Sequence, residues 1–210
     1  LAEKYHISRR EQDEFAYRSQ QLAHDAITSG RFESEIVPVE IKKRKSTVVF
    51  DTDEHPRLAS VEDLMKLKPV FKKDGSVTAG NSSGRNDGAS ALLLASETAA
   101  LKYDFKPKAC IIAQAAAGVS PDIMGIGPVP STAKALKQAG LTIQDIGLIE
   151  LNEAFAAQSL AVIKEWGISL DRINVNGGAI ALGHPIGATG AILMTKLLHE
   201  MERRGEKYGL

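Results

Sequence analysis

The rhythm of apolar and polar positions changes near residue 85. Up to Arg85 the chain is charge-rich and irregular, whereas from Asn86 onward long apolar stretches alternate with glycine-rich turns. In the first region Ser8-Arg9-Arg10-Glu11 has capping-box spacing, in which the Ser8 and Glu11 side chains each satisfy an exposed amide at a helix start. Gly30 supplies the stop, so the pattern predicts one long helix from Arg9 to Ser29. EIVPVEIKKRKSTVVFDTDEHPR then alternates through two short β-like runs around a basic cluster, Lys42 to Lys45, which reads as a solvated edge or loop. Ser60-Val61-Glu62-Asp63 can cap a further short helix before Pro69.

In the second region Asn86 to Tyr103 is Ala/Leu-rich with helical spacing, and ACIIAQAAAG reads as a buried strand. Ser120-Pro121-Asp122 has the cap-then-proline order of a helix start. STAKALKQAG predicts a helix closed by Gly140, IGLIEL a strand, NEAFAAQSLAVIKEWG a helix closed by Gly167, and INVN another strand. A final helix, Ala191 to Arg204, sets Leu193, Met194, Leu197, Leu198 and Met201 on one face, with Lys196, Glu200 and Arg203 on the other. Strands alternating with helices predict an α/β layer, helices packed on a largely central sheet.

Composition narrows the function classes. The 210 residues are 43% hydrophobic and 25% charged, the balance of an ordinary globular protein. Lys and Arg (26) balance Asp and Glu (26), so bulk charge favours neither nucleic acid nor an anionic membrane as partner. The apolar run Ala109 to Val119 is too short to span a bilayer. A single cysteine, Cys110, allows no intramolecular disulfide, and no charged-then-apolar leader opens the chain; both suggest a reducing, cytoplasmic setting. Cys110 itself, inside the expected buried strand, reads as a small core residue.

Chemistry concentrates at two strand-to-helix junctions. NVNGGAIALGHPIGATGA follows one strand and feeds the final helix, with His184 held between Gly183 and the stiffening Pro185. Its glycine spacing matches no nucleotide-phosphate loop, and a histidine there is either chemical or merely structural. ELNEAFAAQ places Asn152 and Glu153 at a second such junction. Asn152 is a helix N-cap or a site residue. Ligands of open α/β sheets bind at strand C-termini, so Asn152 and His184 can converge on one pocket.

Taken together, NEAFAAQ with NVNGGAIALGHPIGATGA some twenty residues later, VTAGNSSGRNDGASALLL and MGIGPVPSTAKAL in the expected order, and SRREQDEFAYRSQ as the start of a loop domain resemble segments of the thiolase family, and the resemblance covers essentially the whole chain. It implies a thiolase-like layered αβαβα fold, here incomplete, with an α+β loop domain on the N-terminal side. The implied division is a loop domain at 1–85 for CoA binding and tetramerisation, the end of the N-terminal half at 86–106, and a C-terminal half at 107–210 lacking its last strands. The implied activity is acetyl-CoA C-acetyltransferase chemistry: Claisen condensation of two acetyl-CoA to acetoacetyl-CoA, and the thiolytic reverse. A longer-chain 3-ketoacyl-CoA thiolase and a non-catalytic CoA-binding or scaffold fragment are the alternatives.

Residue by residue, the resemblance makes His184 the base for a nucleophilic cysteine and Asn152 the holder of an oxyanion-hole water. Ser83 corresponds to a pantetheine contact, Arg57 to a neighbour of the adenine ring, and Met124 and Phe155 to the acyl and pantetheine channel; Gly183 leads into His184. No metal or separate cofactor is implied, CoA thioester being the substrate, and the assembly is a homo-oligomeric dimer or tetramer with Ile36 to Asp53 as candidate contacts. The family's two catalytic cysteines are absent from these residues; they are expected before Leu1 and after Leu210. The segment alone is therefore expected to be inactive, with uncovered sheet edges.

Overall fold

A computed structural model describes all 210 residues, Leu1 to Leu210. Helix α1 (Arg9–Thr28) begins with both halves of the capping box in place and ends before Gly30, whose φ of +70° takes the left-handed turn. It buries Phe15 in the core together with Ala16, Ala23 and Ala26, small residues that let other elements approach closely. Arg9 ties it to α2 (Val61–Met65): its guanidinium pairs with Asp13 at 2.7 Å and donates to the carbonyls of Leu64 and Leu67 at 2.7 and 2.9 Å. Ser60 caps α2, as the sequence predicts.

Between these helices, β1 (Val39–Lys43) and β2 (Ser46–Phe50) form an antiparallel hairpin in the register Val39↔Phe50 to Lys43↔Ser46. The basic cluster sits at its tip, and every strand residue is exposed.

The expected α/β layer is built from short parallel segments. Ile149 N–H donates to the Arg172 carbonyl (2.8 Å) and Asn174 N–H to the Ile149 carbonyl (2.9 Å). On the other side, Glu150 N–H donates to the Leu210 carbonyl (2.8 Å) and Leu210 N–H to that of Leu148 (3.0 Å). The segment carrying IGLIEL thus lies between INVN and the last residues, parallel to both. Ile149 and Ile173 enter a core shared with α1 and α5 (Ala156–Trp166), while Leu148 and Val175 meet Leu197 of α7 (Thr189–Arg204). Helices therefore cover both faces of the parallel segments. Helix α4 (Pro128–Ala139) and α5 end at Gly140 and Gly167, both at positive φ, as expected. No helix is long and apolar enough to cross a membrane.

Three expectations need correction. Only Glu97–Lys102 (α3) of the Asn86–Tyr103 stretch is helical, and Leu93 and Leu94 are 78% and 72% exposed. ACIIAQAAAG pairs with no strand; Ile111 and Ile112 are more than half exposed, and Cys110 is an exposed thiol rather than a core residue. Both segments have strong apolar patterns and no neighbour in this chain to bury them.

The third concerns α7. Lys196 and Glu200, expected on its solvated face, are 5% and 3% exposed. Lys196 Nζ donates to the Gly177 carbonyl (2.6 Å) and pairs with the buried Glu150 (3.0 Å). Glu200 accepts from Asn176 Nδ2 (2.8 Å) and pairs with Arg203 and Arg204. Burial pushes the Glu150 carboxyl upward against the pull of Lys196. Burial also acts on Glu200, but Asn176, Arg204 and Arg203 outweigh it and hold that carboxyl below its ordinary value. Buried charges persist only when matched, and each here has a partner.

Candidate active site

The parallel segment ending at Leu151 releases the chain into Asn152–Phe155 before α5 begins at Ala156. The residue at the N-cap position of α5 is Phe155, with no side-chain cap, so Asn152 is not the cap that its residue type allows. Its placement comes instead from Asn174, which is 1% exposed and at a φ of +47°. Asn174 Oδ1 accepts from Leu151 N–H and its Nδ2 donates to the Leu151 carbonyl, both at 2.8 Å, so one side chain extends the ladder past its backbone end.

The neighbouring Glu153 is fully buried. Its carboxylate accepts from Ser19 Oγ (2.7 Å), Asn174 Nδ2 (2.7 Å) and Ile180 N–H (3.2 Å), joining α1, the Asn174 turn and the short helix α6 (Ala179–Leu182). A carboxylate with three donors is satisfied in the interior. Gly178 lies so close to this carboxylate that any Cβ there would overlap it.

His184 arrives from the other junction. Gly183 adopts a φ of +94°, and a Cβ on it would lie 2.5 Å from Asn86 Oδ1, so glycine is required on both counts. The His184 amide donates to the Gly84 carbonyl (3.2 Å) and reaches Asn86 Oδ1 (3.4 Å). Its ring is half-buried: Nε2 stands 3.3 Å from Asn152 Nδ2, and Nδ1 stands 2.8 Å from Thr189 Oγ1. Thr189 Oγ1 in turn lies 2.9 Å from the Pro185 carbonyl. Asn152 Oδ1 is buried with no protein partner.

A cleft of about 710 Å³ opens beside Asn152, lined among others by Met124, Phe155, Phe71, Ile123 and Gln158. Met124 is 77% exposed, and Phe155 meets Phe71 edge-to-face with ring centroids 5.8 Å apart. Ser83 does not itself line the cleft; its amide and hydroxyl donate to the carbonyl of Ala154, which does, at 3.1 and 3.3 Å. Of the predicted site residues, Asn152, Met124 and Phe155 line the cleft, while His184 with its neighbour Gly183 meets Asn152 and Ser83 meets Ala154. Arg57 is exposed, contributes only its backbone amide to Gln20 (2.8 Å), and does not line the cleft. Sequence reasoning missed Phe71, Asn174 and Thr189; Thr189 alone had a local signal, five residues past His184 at the head of a helix.

Half-buried imidazole and amide groups at the edge of an apolar cleft can exchange a proton and hold a polarised oxygen, while the cleft takes a long, mostly apolar arm. Residues 1–98 match the family model for the thiolase N-terminal domain, and residues 105–210 that for the thiolase C-terminal domain. An acetyl-CoA acetyltransferase of Syntrophomonas wolfei is 56% identical over all of this chain and 54% of its own length. A beta-ketoadipyl-CoA thiolase of Acinetobacter baylyi is 54% identical over all of this chain and 53% of its own. Among solved structures, the Bacillus anthracis acetyl-CoA acetyltransferase superposes with a TM-score of 0.96 at 52% identity, over 100% of this chain and 53% of that one. Human mitochondrial 3-ketoacyl-CoA thiolase in complex with CoA gives 0.91 at 46% identity, over 100% and 52%. The chain spans about half the length of the relatives it matches. Its two consecutive domain matches, its superposition and the junctions that carry Asn152 and His184 agree: the chain belongs to the thiolase family.

Proposed function

We propose that this chain provides the histidine and asparagine side of a thiolase site that transfers acetyl groups between CoA thioesters, as an acetyl-CoA C-acetyltransferase. The observation that carries the reading is the approach of Asn152 and His184 to 3.3 Å beside a cleft lined by Met124 and Phe155. In this reading His184 Nε2 takes the proton of a cysteine thiol as the sulfur attacks the thioester carbonyl. The departing CoA sulfur receives that proton, leaving an acyl-enzyme. Asn152 holds a water that, with the imidazole, faces the enolate oxygen of the second acetyl-CoA; one such donor is worth roughly 3 to 4 kcal/mol of barrier.

Cys110 is not assigned as the nucleophile, because its thiol bonds the Ile111 carbonyl and not the His184 imidazole, whose nitrogens face Asn152 and Thr189. The reaction therefore needs cysteines outside these residues. Leu93, Leu94, Ile111 and Ile112, left open to solvent here, fit a chain that packs against further residues in proteins of twice its length. The exposed hairpin of β1 and β2 supports its role in a homo-oligomer, since a two-stranded hairpin bare on both faces is marginal by itself. CoA needs no further cofactor in this scheme, and the setting is cytoplasmic.

The test is calorimetric titration of CoA into the 210-residue chain, with thiolysis of acetoacetyl-CoA measured in parallel. Binding without turnover is expected from the chain alone. In a chain extended to include the cysteines, turnover should appear, and His184→Ala should abolish most of it while CoA still binds. No CoA binding in either chain would overturn the proposal, and unchanged turnover in His184→Ala would remove His184 from the mechanism.

A further inference from the structure

We infer that Thr189 is a positioning residue for His184: its hydroxyl accepts from Nδ1–H and so holds the imidazole in the tautomer whose Nε2 lone pair faces Asn152. The inference rests on the proposed thiolase reading only for the identity of the proton donor; the tautomer is a property of this chain alone.

An imidazole can gain a proton at Nε2 only if Nδ1 already carries one. In uptake from a thiol, the S–H bond breaks and an Nε2–H bond forms. The Nδ1 proton stays where it is, and the ring becomes imidazolium with two N–H groups. Nδ1–H therefore needs an acceptor both before and after the transfer. The acceptor at hand is Thr189 Oγ1, 2.8 Å away. A threonine hydroxyl has one proton and free lone pairs, and the Pro185 carbonyl at 2.9 Å takes the proton, leaving a lone pair for Nδ1–H. On the far side of the ring, Asn152 Nδ2 donates toward Nε2 at 3.3 Å, which suits a lone pair and opposes an N–H.

Burial makes the arrangement specific. Thr189 is 7% exposed, so water has little access to replace its hydroxyl. Branching at Cβ restricts its χ1, and its own backbone amide donates to the same Pro185 carbonyl at 2.9 Å, so the hydroxyl is clamped over the turn that carries His184. A hydroxyl does this without placing a charge beside the imidazole, unlike the carboxylate that orients the base in a Ser-His-Asp triad.

The experiment is two-bond proton–nitrogen correlation spectroscopy of the ¹⁵N-labelled 210-residue chain at alkaline pH. Wild type and Thr189→Ser should both show a protonated Nδ1 and an unprotonated Nε2. Thr189→Val, which keeps the shape and loses the hydroxyl, should show a tautomer mixture or Nε2–H. In the chain extended to include the cysteines, Thr189→Val should lower kcat about ten- to a hundredfold with little change in KM, the range of one hydrogen bond to a charged group, and serine should restore it. An Nε2–H signal in the wild type overturns the inference even if the valine variant fails to fold. So does an unshifted tautomer in a folded Thr189→Val chain. Loss of CoA binding with the expected tautomer pattern intact would instead overturn the thiolase reading and leave this one standing.

Discussion

Replacing Asn174 with alanine tests how strongly one buried side chain holds the segment from Leu151 to Glu153, which carries Asn152. The substitution removes the partners of both the Leu151 amide and the Leu151 carbonyl, each at 2.8 Å, and one of three donors to the Glu153 carboxylate, at 2.7 Å. A buried polar group left without a partner costs about 1–3 kcal/mol, more when charged. Alanine is also poorly suited to a φ of +47°, which asparagine tolerates, adding about 1 kcal/mol. With partial relaxation and water entering the space, the net loss should be about 3–5 kcal/mol, a large share of the stability of an ordinary domain. Urea unfolding of the chain followed by circular dichroism measures it. Asn174→Gly separates the two contributions, because it relieves the backbone cost and should recover about 1 kcal/mol of the alanine loss. A loss below about 1 kcal/mol in Asn174→Ala, or a glycine variant no better than alanine, would refute the reasoning.

Two further outcomes follow from side-chain environments. Burial first, then Glu150 and Glu200, push Glu35 up to about 7 despite the pull of Lys196 and Arg203. Between its ordinary value near 4.5 and about 7, the folded chain holds a proton that the unfolded chain has released, so stability present at low pH is lost as pH rises through this window. Allowing for solvent screening of a partly exposed group, Glu35→Gln should flatten the urea-stability profile between pH 4.5 and 7.5 by about 1–2 kcal/mol, and an unchanged slope would exclude Glu35 as the cause. Cys110, exposed, should titrate with a thiol reagent as fast in the native 210-residue chain as in urea; slow labelling that urea accelerates would show that it is covered.

What the sequence made legible was whatever its signals could settle within one turn or one helix. The capping box at Ser8 and Glu11 and the stops at Gly30, Gly140 and Gly167 involve residues a few positions apart, and each appears as expected. The Asn152 and His184 pairing was legible because two strand-to-helix junctions of a parallel arrangement open on the same edge. Contacts that depend on distant partners were not. The α7 periodicity could not show that Lys196 would meet Glu150, 46 positions earlier, and so become buried. Nor could the type of Asn174 reveal that it would bond to Leu151 and Glu153. The opposite error occurred at Leu93 and Ile111, where an apolar pattern predicts burial and the chain supplies nothing to pack against it.

The amide of His184 bonds to the carbonyl of Gly84, next to Ser83, and Ser83 is itself held against Ala154, two residues from Asn152. Hydrogen bonds thus form a closed mechanical loop through Ser83, the Asn152 segment and His184, so the site deforms as one body. A substrate arm pressing on the Ser83 strap would transmit its displacement to the imidazole and the amide together, keeping their separation while shifting both. Such a frame tolerates drift of the surrounding surface but not lengthening of any one of its sides. Insertions between Ser83 and Asn86, or between Asn152 and Phe155, should be far less acceptable than insertions at the hairpin tip around Arg44.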